Sequence, residues 1–160
     1  MDMFFGLEAA EIARHTQRVK EALDRWQIDA SYFHPLTQLT QYEFIILFAN
    51  TESVVQNGRK QLLEETLALI ADISTVLTGK GIRVHFVNGK DQWDNQTAGD
   101  VTNRTRDTAI KYHGRKRQLG SKLRRFVMEP FLSDRFSHPG TSITVILTDG
   151  KVCSKSNIQG

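Results

Sequence analysis

The chain alternates between stretches of helical periodicity and short, dense apolar runs. The densest run, Phe44-Ile45-Ile46-Leu47-Phe48, lies within YEFIILFANTES (42–53) and stops abruptly in small and polar residues. Such a run predicts a strand over 42–48 that is buried on both faces, as in a parallel sheet. Upstream, Leu7, Ile12, Val19, Leu23 and Trp26 fall near one side of a helical wheel, which predicts an amphipathic helix over 7–26. Downstream, Leu62, Leu63, Thr66, Leu69, Ile70, Ile73 and Leu77 recur at spacings of three and four, the pattern of a helix over 59–78. Gly79 and Gly81 follow it, and glycine tolerates the left-handed backbone that closes a helix. IRVHFVN (82–88) alternates Ile82, Val84 and Phe86 with Arg83, His85 and Val87. This predicts a second strand, with His85 facing outward in a structural role, ended by the turn signal Asn88-Gly89. SITVILT (142–148) predicts a third strand, closed by Asp149-Gly150.

The intervening segments are more polar. Residues 27–41, with Pro35 and several Thr and Gln, read as a loop or linker with a short turn. Residues 49–53 read as a loop, and 90–104 as a polar tract with a short edge strand around Trp93. A short helix is expected over 101–111, a polar loop from Gly114, and a helix over 119–132 with Pro130 near its end.

Helices alternating with strands imply right-handed crossovers and parallel pairing. The expected fold is α/β, a Rossmann-like three-layer sandwich with a mostly parallel central sheet. Residues 1–41 form an N-terminal helix and linker packing on the core, 42–152 the core, and 153–160 a polar tail. The strand ends at 49–53, 88–91 and 149–150 should line the carboxyl edge of the sheet, where α/β folds bind ligands.

At 160 residues the chain is long enough for one domain with a real core, and 39% hydrophobic with 24% charged residues is ordinary for a globular protein. No run approaches the roughly 20 apolar residues of a membrane span, so no membrane partner is expected. The N-terminus does not read as a secretory signal, and the lone Cys153 cannot form an internal disulfide. Both favour a cytoplasmic, reducing location, with secretion after signal removal as the alternative.

Charge changes the picture in one segment. Between Val101 and Arg125 stand nine Lys or Arg and a single acid, Asp107, although the whole chain carries only +3. Arg104, Lys111, Arg115, Lys116, Arg117, Lys122, Arg124 and Arg125 are candidates for binding phosphates of a nucleic acid or another polyanion. Tyr112 and His113 are the only interleaved rings, so base stacking has little to work with. A solvated face or a dock for an acidic protein explains the same charges.

Catalytic chemistry is not indicated. His15, His34, His85, His113 and His138 are scattered without metal-ligand spacing, Cys153 has no assigned base, and Asp91 with Asp94 reads as a solvated loop pair. Walker A, GxGxxG and GxSxG patterns are absent from the sequence. The expectation is a protein that is not an enzyme and has no cofactor.

Taken together, YEFIILFANTES, IRVHFVN, the helix start Gly120-Ser121-Lys122-Leu123 and SITVILTDG resemble the von Willebrand factor A domain, most closely the intracellular type found in fungal proteins. The resemblance covers roughly 42–152. In that family the loop after the first strand carries Asp-x-Ser-x-Ser, a later loop supplies a Thr, and an Asp ends the next central strand. Together they hold one divalent ion, usually Mg²⁺, through oxygen ligands. Laid on that pattern, this chain has Ala49 at the first Asp, Thr51 and Ser53 at the hydroxyl positions, Arg117 at the Thr, and Asp149 at the second Asp. The resemblance thus implies a degenerate metal site, without physiological Mg²⁺, in which the Arg117 guanidinium pairs with Asp149 in place of the ion.

The family's domain also continues with two further strand–helix units, whereas few polar residues follow Gly150 here. The 142–148 strand is then an exposed edge; the 7–26 helix covers the face left bare, or the edge pairs with a second copy or another chain. The resemblance implies a metal-independent, self-associating protein–protein interaction module, a homo-oligomer that also binds another protein through Asn50, Thr51, Glu52, Ser53, Arg117 and Asp149. The alternatives are a polyanion-binding protein using 104–125 and a secreted effector acting in a host cell.

Overall fold

A computed structural model describes residues 9–89, 92–107, 110–114, 119–130 and 142–149. The chain folds as α1 (Ala9–Trp26), a 3₁₀ turn (Ala30–Tyr32), α2 (Phe33–Leu39), β1 (Glu43–Phe48), α3 (Glu52–Gln56), α4 (Lys60–Thr78), β2 (Ile82–Phe86), β3 (Gln92–Gln96), α5 (Ala98–Arg106), α6 (Leu119–Leu123) running into a π-helical turn (Arg124–Met128), and β4 (Ser142–Leu147). The sheet order is β3-β2-β1-β4. β1 pairs in parallel with β2 (Ile46 beside Val84) and with β4 (Ile46 beside Val145), and β3 joins β2 antiparallel. This is the expected α/β sandwich with a mostly parallel sheet.

Strand side chains alternate between two faces, and both faces are covered. On one, Phe44, Ile46 and Phe48 with Ile82, Val84 and Phe86 pack under Leu63, Leu67 and Ala71 of α4 and Val101 of α5. On the other, Ile45 and Leu47 are buried, and the Phe126 ring of the 119–130 helix stacks on His85 at 4.5 Å and 10°. The outward assignment of His85 is therefore corrected: the residue is buried, because its face lies beneath a helix.

Local chemistry sets the ends of the elements. Gly79 adopts φ 71° and donates its N–H to Thr75 O, closing α4 with a left-handed cap. Arg18 of α1 donates to Thr78 O at 2.7 Å, satisfying one of the carbonyls left open there. Thr97 and Asp100 form a reciprocal capping box at the start of α5.

Residues 27–41 are not a linker. α2 forms within them, and Phe33, Leu36 and Leu39 join a second apolar cluster with Val19, Ala22 and Leu23 of α1 and Leu77 of α4. Pro35 is compatible with this because it stands in the first turn, where a missing N–H leaves no intrahelical bond unmade. The segment 52–56, expected as part of a loop and its surroundings, is the short helix α3. α1 packs on α4 and α2 through this second cluster. Positions 7–8 of the first predicted helix and 131–132 of the predicted 119–132 helix lie outside the described residues, as does the polar tail 153–160.

Candidate functional site

The strand order reverses at β1. The crossover through α4 leads to β2 on one side, while β4 lies on the other and is preceded by the 119–130 helix on the opposite face. The carboxyl ends of β1 and β4 therefore meet at a topological switch point, the place where open α/β sheets form a crevice.

Asn50 organises this edge. Its side-chain amide donates to Asn88 O at 2.7 Å and to Lys111 O at 2.9 Å, while its Oδ1 accepts from Asn88 N–H at 2.8 Å. Its own carbonyl accepts from His113 N–H at 3.1 Å. Asn88 in turn donates through Nδ2 to His113 O at 2.6 Å. One buried amide thus ties together the loop after β1, the turn after β2 and the segment 110–114. Glu52 N–H adds a bond to Gly114 O at 3.4 Å.

Beside this clamp, Thr51, Ser53 and Asp149 form a chain of oxygens. Ser53 Oγ donates to Asp149 Oδ2 at 2.6 Å, and Thr51 Oγ1 lies 2.9 Å from Ser53 Oγ. Since the Ser53 proton goes to the carboxylate, the Thr51 hydroxyl donates to Ser53. Thr51 stands at the N-cap of α3 but makes no side-chain cap bond there; its hydroxyl is directed into this chain instead. Thr51 and Asp149 are both buried. Ala49 continues the ladder, donating to Leu147 O at 2.8 Å.

A cation does reach the site, but it is one the sequence did not single out. Arg59, immediately before α4, donates from its guanidinium to the backbone carbonyl of Asp149. Arg117, which the resemblance places there, lies outside the described residues, as do Arg115, Lys116, Asp91, His138 and Cys153.

Among the described residues, the cations of the basic tract are divided between the two sides of the sheet. Arg104 of α5 lies 5.1 Å over Trp93, whose ring belongs to the core on the α4 side of the sheet. Lys122 and Arg125 lie 4.9 and 5.5 Å from the Phe126 ring centroid, on the other side. Lys122 also donates to Gly89 O at 2.8 Å, and burial followed by the nearby Arg125 lowers its pKa. Arg124 pairs with Glu129 at 3.1 Å. On the α4 side, the Tyr112 hydroxyl donates to Glu64 at 2.8 Å, and burial, then that carboxylate, raises its pKa.

Among the described residues no helix is long and apolar enough to cross a membrane. The chain matches no protein-family model, no curated protein and no solved structure.

Proposed function

We propose that this chain is a non-catalytic protein–protein interaction module, similar to a von Willebrand factor A domain, that engages its partner at the carboxyl edge of its sheet without a divalent ion. The observation that carries this reading is the Thr51–Ser53–Asp149 chain at the switch point. The resemblance assigns Thr51, Ser53 and Asp149 to one site; Asp149 lies 96 residues beyond Ser53 in the chain, and a direct hydrogen bond joins the two, with Thr51 bonded to Ser53.

The donor set fits a divalent ion poorly. Mg²⁺ favours one or two carboxylates in near-octahedral geometry. Here Ala49 supplies no side-chain oxygen, the Asp149 carboxylate accepts from Ser53, and the Arg59 guanidinium sits on the same residue. A guanidinium beside a cation site opposes binding of a second cation. Self-association belongs to the same proposal. β4 is the edge strand of the described sheet and its Ile146 is exposed.

The test is a solution mass measurement with and without Mg²⁺. A mass above that of one chain, unchanged by Mg²⁺, is expected. A single-chain mass overturns the self-association, and a Mg²⁺-dependent mass or saturable Mg²⁺ binding overturns the metal independence.

A further inference from the structure

The His85 ring is sealed between the sheet and the 119–130 helix. The residue is 4% exposed, and neither Nδ1 nor Nε2 has a hydrogen-bond partner. A buried polar group without a partner costs stability, so its presence calls for an explanation beyond packing. The ring is covered by Phe126, and Phe126 sits in the π-helical turn Arg124–Met128. Such turns are uncommon and concentrate where a helix has a functional irregularity.

Among the described residues, the charges around the ring are mostly positive. Arg83 lies on the same strand and Lys122 and Arg125 on the covering helix, both over Phe126. From β3, Asp94 is the acid that acts on the ring, and it is held at 3.2 Å by Arg83, which also binds Glu43 of β1 at 2.8 Å. Glu129 on the covering helix is paired with Arg124.

We propose that His85 is an acid-sensitive latch: protonation of its ring releases the 119–130 helix from the sheet. A proton placed there finds no acceptor and adds a cation beneath a cationic helix, whereas in the released state the imidazolium is hydrated. Burial, then Arg83, opposed by Asp94, with Lys122 the smallest influence, hold the ring below the ordinary value of 6.5. The sign follows. The docked state carries the lower pKa, so docking is favoured fully above about pH 6.5 and weakens as the pH falls below it.

The test is hydrogen exchange of the full chain, corrected for intrinsic rates. Between about pH 7.5 and 5.5, the released fraction should rise about tenfold. This reads as about tenfold faster corrected exchange over Lys122–Met128, through openings more frequent at every pH than those that expose the β1 amides Ile45–Phe48. His85→Phe keeps a stacked apolar ring without a titrating group and should remove the pH dependence; His15→Gln should leave it in place. The proposal is overturned if His85→Phe behaves as the parent chain does, if the parent shows no pH effect, or if Lys122–Met128 and β1 exchange at the same corrected rate, which would mean that the helix opens only when the whole chain unfolds. Should His85→Phe not fold, the ring is titrated by NMR in the parent chain. Proton uptake coinciding with loss of protection at 122–128 supports the latch, and uptake with those amides still protected overturns it.

Discussion

Asn50 and Asn88 hold each other through two reciprocal hydrogen bonds, from Asn50 Nδ2 to Asn88 O and from Asn88 N–H to Asn50 Oδ1, at 2.7 and 2.8 Å. With Lys111 O as a further acceptor, Asn50 uses both amide hydrogens and its oxygen. Asn50→Ala leaves these buried groups without their partner and should cost about 2–3 kcal/mol, read as a fall in the denaturant midpoint. Asn50→Asp should cost more at neutral pH, because it aims a carboxylate at two carbonyl oxygens. Equal stability of the Asp variant and the parent chain would contradict the clamp.

Ser53 donates to the buried Asp149 carboxylate, a charge-assisted bond worth about 1.5–3 kcal/mol. Ser53→Ala should lower stability by that order. Thr51→Ala and Ser53→Ala should be non-additive, with a coupling of about 0.5 kcal/mol or more, because the Thr51 hydroxyl reaches the carboxylate only through Ser53. Additive denaturation free energies would show that the oxygens do not act as a chain. Asp149→Ala should reduce both stability and partner binding.

His15 Nδ1 lies 2.6 Å from Thr40 Oγ1, and that hydroxyl donates to Thr37 O at 2.7 Å. The imidazole is therefore the Nδ1–H tautomer, which ¹⁵N shifts of the ring report directly. Burial first, partly offset by Glu11 and reinforced by Arg18, lowers its pKa from 6.5. The folded value being the lower one, its contribution to stability is complete above about pH 6.5 and is lost as the pH falls below it. The denaturant midpoint should drop between about pH 7.5 and 5.5, and drop less in His15→Gln. An equal drop in both chains would assign the acid sensitivity elsewhere.

Gly81 is required for space. A Cβ there would lie 2.5 Å from the Asn95 carbonyl carbon and 2.6 Å from Gln96 backbone atoms, where β3 passes beside β2. Asn95 adopts φ 52° and accepts the Gly81 N–H through Oδ1 at 3.0 Å, fixing that approach. Gly81→Ala should destabilise by more than the roughly 1 kcal/mol of an ordinary backbone effect and should loosen β3, seen as faster exchange over Gln92–Gln96.

The strands were legible where burial is two-sided. β1, β2 and β4 stand out as apolar runs, and α4 as a long periodic helix. β3, QWDNQ, buries Trp93 and the polar Gln96, so a single apolar residue marks it in the sequence. α2 was hidden because Pro35, Thr37 and Gln38 resemble loop chemistry, and its helical state depends on Phe33, Leu36 and Leu39 meeting α1. His85 was misassigned because alternation separates two faces without saying whether the second is covered. At the carboxyl edge, the grouping of Thr51, Ser53 and Asp149 followed from strand order and the resemblance. Asn50 as clamp and Arg59 as the nearby cation could not be read there, since both depend on contacts across more than thirty residues of chain.

α4 belongs to two cores at once. Leu63, Leu67 and Ala71 face the sheet, while Leu77 meets α1 and α2. Among the described residues, α4 thus links the apolar cluster of the α1–α2 layer to that of the sheet. This architecture divides the molecule into two cooperative units of unequal rank. α1 and α2 have the smaller apolar cluster and lie outside the sheet's hydrogen-bond ladder, so they open at a lower free energy than the sheet. Proteolysis or exchange should therefore find them first and leave the switch-point edge intact.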